Sequence, residues 1–111
     1  MTNPNTPEGT PQALIVRDFE LAPIEEVLDE AQLLALLSEH IAYLIDHRLE
    51  FLLSLMYRLD IDERKVNRAL SPGHAEPAQL ALARLVLERQ QQRILTKQQY
   101  RQAPIDDTEW E

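Results

Sequence analysis

The chain contains no cysteine and only two glycines, Gly9 and Gly73, among its 111 residues. Without cysteine it has no disulfide framework, no thiolate zinc site and no thiol nucleophile. Neither glycine follows a predicted strand, so the glycine-rich loops that hold phosphates in P-loop and Rossmann proteins are missing. The first residues lack the basic and apolar regions of a signal peptide. These absences favour a cytoplasmic protein without a nucleotide-binding loop.

Charge is unevenly distributed along the chain. The net charge of −8 argues against a general nucleic-acid binder, because such proteins usually present a basic surface. Residues 1–60 contain three arginines against eleven acidic residues, whereas residues 61–101 contain eight basic residues against four acidic ones. Two segments of opposite charge are suited to packing against each other. The last ten residues contain four acids and no base.

The most informative stretch is residues 31–59, which has no proline or glycine and is rich in leucine. At 100° per residue its apolar side chains cover roughly half of a helix circumference, more than the stripe of about 100° expected for one buried face. Charged residues interrupt every apolar run well before the roughly 20 residues that a membrane span needs. The pattern predicts one long helix over residues 24–59 that requires protein on two sides.

We expect a second copy of the chain to cover part of this apolar arc. Arg48 lies in the middle of the arc, where its guanidinium extends to the edge, forms a structural ion pair, or fixes the register of a self-associating interface. Two antiparallel helical hairpins that pair into a four-helix bundle are the simplest way to cover so wide an arc. The predicted interface comprises Leu34, Ile41, Leu44, Ile45, Arg48, Leu52, Leu55, Met56 and Leu59.

The N-terminal part is predicted to have little regular structure. Residues 1–12 contain three prolines and little apolar surface, which is typical of a disordered tail. Residues 13–22 form a short apolar run, and because no second strand exists to pair with it, we expect an extended arm that packs across the helices or binds another protein. Residues 24–30 either begin the long helix or form a separate short one, with Asp29 able to cap a new start.

Two further helices and an acidic tail are predicted after the long helix. Asp60 and Glu63 are spaced as a capping box, which predicts a short bracing helix over residues 61–70. Pro77 is acceptable in a first helical turn, so a long helix is predicted over residues 77–101. The acidic composition of residues 102–111 predicts a disordered tail.

No set of residues predicts catalysis, a cofactor or a metal site. His40 and His47 lie two turns apart, which favours solvated positions at the border of the polar face over shared metal ligation. The carboxylates of residues 25–30 resemble those of all-helical magnesium-dependent nucleotide pyrophosphohydrolases, but a helix start favoured by the macrodipole explains them more simply. The alternatives are this enzyme class, using Glu25, Glu26, Asp29 and Glu30, and a weak DNA-binding face of Arg84, Arg89, Arg93 and Lys97.

The segment LEFLLSLMYRLDIDERKV, residues 49–66, resembles part of small uncharacterised all-helical bacterial proteins, and the similarity extends over residues 30–101. This resemblance implies an all-helical fold and no particular activity. The sequence therefore predicts an all-α domain over residues 13–101, a hairpin with a short bracing helix. We expect a non-catalytic homodimeric scaffold or adaptor without membrane contact. Its predicted partner-binding residues are Phe19, Leu21, Ile105 and Trp110.

Overall fold

The computed structural model describes residues 9–73 and 75–102. Within this part of the chain all regular structure is helical, so the all-α prediction is confirmed. None of the helices found there is both long and apolar enough to cross a membrane. The helices are α1 (Pro11–Asp18), α2 (Glu30–His47), α3 (Leu49–Arg58), α4 (Glu63–Leu70) and α5 (Ala78–Gln102).

The predicted N-terminal arm contains a helix, α1. The Thr10 side chain caps it by accepting a hydrogen bond of 3.1 Å from the backbone N–H three residues later. Pro11 follows at the first helical position, where its missing N–H is tolerated. Ile15 and Phe19 lie four residues apart on the face that packs into the core. The extended arm predicted over residues 13–22 is therefore wrong, because its apolar residues follow helical rather than alternating spacing.

Residues 21–29 connect α1 to α2 without regular structure. The side chain of Gln12 holds this linker: Nε2 donates to the carbonyl of Glu26 at 2.7 Å, and Oε1 accepts from the N–H of Leu28 at 2.8 Å. Gln12 is only 4% exposed, so both polar atoms of its buried amide are satisfied. The linker is thus fixed to α1 by a side chain inside the predicted disordered tail; residues 1–8 of that tail lie outside the described residues.

The helix predicted over residues 24–59 is wrong at its start and in its middle. A reciprocal capping box between Asp29 and Gln32 starts α2. Arg48, with φ −146° and ψ 56°, then separates α2 from α3. Its side chain is exposed, with Cζ 4.3 Å from the ring centroid of Phe51. Because burial of an unpaired charge is costly, the break lets this residue leave the apolar arc while both helices keep their apolar faces buried.

The C-terminus of α3 forms a Schellman motif. The N–H of Asp60 donates to the carbonyl of Tyr57 at 3.0 Å, and the N–H of Ile61 donates to the carbonyl of Met56 at 3.1 Å. Asp60 has a φ of 62°, the left-handed conformation that this motif requires. The same motif ends α1, where Glu20 has a φ of 56°. Acidic residues therefore occupy two positions that usually hold glycine.

The short helix α4 begins two residues later than predicted. The capping box expected between Asp60 and Glu63 is wrong, because Asp60 closes α3 instead. Asp62 caps α4 by accepting a hydrogen bond of 2.9 Å from the N–H of Arg64. The helix predicted over residues 61–70 is thereby shortened at its start.

Helix α5 lies at the centre of the packing and contacts α1, α2 and α4. It occupies almost the same residues as the helix predicted over residues 77–101. The first half of α5 has small and branched side chains, which allow the other helices to pack closely against it. The buried apolar core comprises Ile15, Phe19, Leu33, Leu37, Ile41, Leu44, Leu52, Leu55, Met56, Leu59, Val66, Ala69, Ala81, Leu82, Ala83, Val86 and Leu87.

Most of the predicted dimer interface belongs to the core of a single chain. The apolar arc of α2 and α3 is covered from within, and Ile15 and Phe19, from the segment that was expected to be an arm, belong to the same buried cluster. These side chains are not available to a second copy in this fold, which corrects the predicted interface. The residues concerned are Ile41, Leu44, Leu52, Leu55, Met56 and Leu59, each at most 6% exposed.

Candidate functional site

One exposed flank of α3 carries a row of large apolar side chains, which we call the α3 stripe: Leu49, Leu53 and Tyr57. They are 40%, 38% and 86% exposed, respectively. Residues four apart on a helix share one face, so the three side chains form a continuous strip along α3. Large apolar side chains aligned in this way are typical of contact surfaces.

The position of the α3 stripe follows from the way α3 packs. Leu52, Leu55 and Met56 are buried, and helical periodicity places the stripe along the flank of this buried face. Leu49 and Leu53 are therefore partly covered, whereas Tyr57 is the most exposed of the three. The sequence prediction missed this surface, because the predicted interface contains none of these three residues. The four-residue spacing that joins Leu49 to Tyr57 through Leu53 was the signal available in the sequence.

The other predicted contact residues occupy different environments. Phe19 is 2% exposed and lies in the core, so it does not serve as a surface anchor. Leu21 packs half-buried against the core, as do Leu34 and Ile45. Arg48 is exposed. The two predicted anchors in the acidic tail, Ile105 and Trp110, lie outside the described residues.

A row of four rings runs from the core to the surface along α2. Phe19 meets His40 edge-on at 6.1 Å between ring centroids, His40 stacks with Tyr43 at 6.3 Å, and Tyr43 lies 4.7 Å from His47. Burial lowers the pKa of His40 below its ordinary value of 6.5, and a hydrogen bond involving the Phe19 backbone partly opposes this change. The row therefore favours a neutral imidazole packed between aromatic rings.

The acidic residues considered as magnesium ligands lie in the linker and at the start of α2. Glu25 and Glu26 lie in the linker, Asp29 caps α2, and Glu30 occupies its first turn. In residues 9–73 and 75–102 no group of three or more His, Cys, Asp or Glu side chains is placed to hold a metal ion. The cluster thus contributes a helix start, as the macrodipole argument favours.

The basic residues considered as a DNA-binding face make different contacts within the chain. Arg84 forms an ion pair with Glu76 at 2.8 Å. Arg89 donates from Nε to the carbonyl of Leu59 at 2.8 Å, and so binds the C-terminus of α3. These contacts engage Arg84 and Arg89 within the chain, whereas Arg93 and Lys97 line one open groove.

Arg93 and Lys97 border an open groove of about 770 Å³ between α1 and the second half of α5, which we call the α1–α5 groove. Arg17 of α1 borders it from the other side, and Leu14 and Ile94 supply apolar surface within it. Among the described residues that line the groove there are three cationic side chains and no carboxylate. Such a lining suits an anionic segment that also has apolar side chains.

Comparison with known proteins finds no family model, curated protein or solved structure that matches this chain. Among the described residues, the α3 stripe and the α1–α5 groove are two surfaces whose composition differs from an ordinary solvated helix face.

Proposed function

We propose that this protein is a non-catalytic interaction module that forms a homodimer through the α3 stripe. The observation that carries the proposal is the exposure of Leu49, Leu53 and Tyr57 on one face of a ten-residue helix. The absence of cysteine is consistent with work in the cytoplasm. The role we assign is that of a scaffold or adaptor, because the site consists of contact surface rather than reactive groups.

The composition of the α3 stripe supports contact with protein. Tyrosine combines a large apolar ring with a polar tip and is enriched at interfaces, where it often contributes strongly to binding. Leu49 and Leu53 are already more than half-buried, so a partner completes their burial with little loss of side-chain freedom. A short stripe of this kind supports a weak, concentration-dependent dimer rather than an obligate one.

The stripe is self-complementary when two copies of α3 cross in antiparallel orientation with the twofold axis at Leu53. In that arrangement Leu49 packs against Tyr57 of the partner subunit, and each contact occurs twice. Glu50 then lies within one helical turn of Arg58 of the partner subunit, which adds an attraction between opposite charges. Each chain would contribute an antiparallel hairpin of α2–α3 with α5, braced by α4, and two hairpins would give a four-helix bundle.

Disulfide trapping tests this geometry directly, because the chain has no native cysteine. A Leu53→Cys variant should form a covalent dimer under mild oxidation, since the two thiols meet at the axis. A mixture of Leu49→Cys and Tyr57→Cys chains should give more of the mixed dimer than of either same-variant dimer.

Leu95→Cys is the matched control, because Leu95 is an exposed apolar residue, 54% accessible, on α5 rather than α3. It should remain mostly monomeric under the same oxidation. Equal trapping of the Leu53→Cys and Leu95→Cys variants would contradict the proposal. So would the absence of any trapped Leu53→Cys dimer at the protein concentrations used to measure association of the native chain.

A further inference from the structure

The α1–α5 groove combines positive charge with apolar surface. Arg17 stands on the α1 side, and Arg93 and Lys97, one helical turn apart, stand on the α5 side. Leu14 and Ile94 face the space between them. A segment that fills such a groove needs carboxylates for the rim and at least one apolar side chain for the interior.

The charges at the rim are only partly satisfied within the described chain. Nε of Arg17 lies 3.0 Å from Oδ1 of Asp18, yet the Arg17 side chain is 64% exposed. Nη1 of Arg93 donates to Oε1 of Gln90 at 3.2 Å, a neutral acceptor that leaves its charge unbalanced. Lys97 is exposed beside them. These groups therefore keep donors and positive charge for an anionic ligand.

The residues that follow α5 have the complementary composition. Residues 103–111 contain four acidic side chains, no basic one, and two large apolar residues, Ile105 and Trp110. They begin directly after Gln102, where α5 ends. The α1–α5 groove therefore lies close to the point where this acidic segment begins.

We propose that residues 103–111 fold back along α5 and occupy the α1–α5 groove of the same chain. The carboxylates would approach Arg17, Arg93 and Lys97, and Ile105 or Trp110 would pack on the apolar interior. This interaction is separate from the α3 stripe and does not depend on dimerisation. It makes the acidic segment an internal ligand of the basic groove.

The geometry permits this return. Along α5, Lys97 is about 7.5 Å and Arg93 about 13.5 Å from Gln102, at 1.5 Å per residue. Nine extended residues reach up to roughly 30 Å, which exceeds both distances. Pro104 disfavours helical conformation in the residue before it, so the chain is able to turn at this point instead of continuing the helix.

Trp110 is the only tryptophan in the chain, so its fluorescence in the full-length protein reports the position of this segment. We expect a blue-shifted emission maximum and protection from acrylamide quenching in the native chain at low protein concentration. Arg93→Glu/Lys97→Glu should shift the emission to the red and remove the protection. Raising salt from 0.1 M to 1 M should also reduce the protection, because the Debye length falls from about 10 Å to about 3 Å.

Arg64→Glu/Lys65→Glu is the matched control, since it makes the same change in net charge at exposed positions of α4. It should leave the fluorescence of Trp110 unchanged. Asp106→Lys/Asp107→Lys, introduced into the Arg93→Glu/Lys97→Glu chain, should restore the protection by exchanging the two charges. Circular dichroism checks that each variant is folded, and Lys97→Glu alone provides a milder change.

Three results would overturn the proposal. The first is a native Trp110 that is as readily quenched as in a peptide of residues 103–111. The second is protection that the charge reversal and the charge exchange leave unaffected. The third is protection that disappears on dilution, which would assign the groove to the acidic segment of a second copy.

Discussion

The side chain of Gln90 on α5 is fully buried and donates from Nε2 to Oδ2 of Asp18, the last residue of α1, at 2.8 Å. The two residues are 72 positions apart in the sequence. In the described part of the chain no buried side-chain nitrogen or oxygen lacks a hydrogen-bond partner. This contact therefore joins the first helix to the central one by a specific polar bond rather than by apolar packing alone.

Replacing Gln90 with alanine should destabilise the fold. The change removes the donor to a half-buried carboxylate oxygen and leaves space in the core, and we expect the free energy of unfolding to fall by about 1–3 kcal/mol. Gln91→Ala, at the adjacent exposed position, should change it by less than about 0.5 kcal/mol. Urea denaturation measures both values. Similar losses for the two variants would show that the Gln90–Asp18 bond contributes nothing specific.

Replacing Glu20 with glycine should stabilise the protein. Glu20 is exposed and has a φ of 56°, where a residue with a Cβ atom is strained and glycine is not. Relief of the strain exceeds the entropy that glycine adds to the unfolded chain, so we expect a gain of roughly 0.5–1 kcal/mol. Thermal unfolding at matched concentration tests this.

Glu25→Gly is the control for that prediction. Glu25 is also exposed and lies in the linker, but its φ is not positive. The substitution should therefore give no gain, since it adds only unfolded-chain entropy. If Glu25→Gly stabilises the chain as much as Glu20→Gly, the left-handed conformation is not the cause.

His40 should make stability depend on pH near neutrality. Its folded-state pKa is lowered from 6.5, chiefly by burial, so the unfolded chain takes up the proton more readily. The stability that neutral His40 contributes to the fold is fully present above pH 6.5. It is lost as the pH falls from there towards the lowered folded-state pKa. We expect the free energy of unfolding to decrease between pH 7.5 and pH 5.5, and His40→Gln to reduce that decrease.

The control for the pH prediction is His47→Gln, because His47 is exposed at the other end of the ring row. This variant should keep the decrease seen in the native chain. Urea midpoints at the two pH values give the comparison. A His40→Gln chain with the full native decrease would show that another group is responsible.

The sequence predicts the helical class of this fold well but not where its helices begin and break. Proline at residue 77 and a continuous helical pattern locate α5 closely, because both signals are local. Helix α1 was missed because its eight residues contain only a short apolar run. Such a run fits an extended arm as well as a helix unless the surface it packs against is known. The break at Arg48 was missed because helical propensity continues through it, and only tertiary burial makes a charge there unfavourable.

The exposed α3 stripe was harder to predict than the fold. Residues 31–59 carry more apolar surface than one face buries, but the sequence does not show which part the chain covers by itself. The structure buries Leu52 and Leu55 and leaves Leu53 and Tyr57 exposed. The division depends on how α3 packs with α2 and α4, a tertiary relation that helical periodicity does not contain.

The proposed dimer joins two copies of this chain through the α3 stripe. Sedimentation velocity over increasing protein concentration tests it most directly, with Leu53→Glu as the disrupting variant and Leu95→Glu as the matched exposed control. We predict that the native chain and Leu95→Glu shift from the sedimentation coefficient of a monomer towards that of a dimer, while Leu53→Glu stays monomeric. A native chain that remains monomeric at every concentration, or a Leu53→Glu chain that dimerises as the native one does, would contradict the proposal.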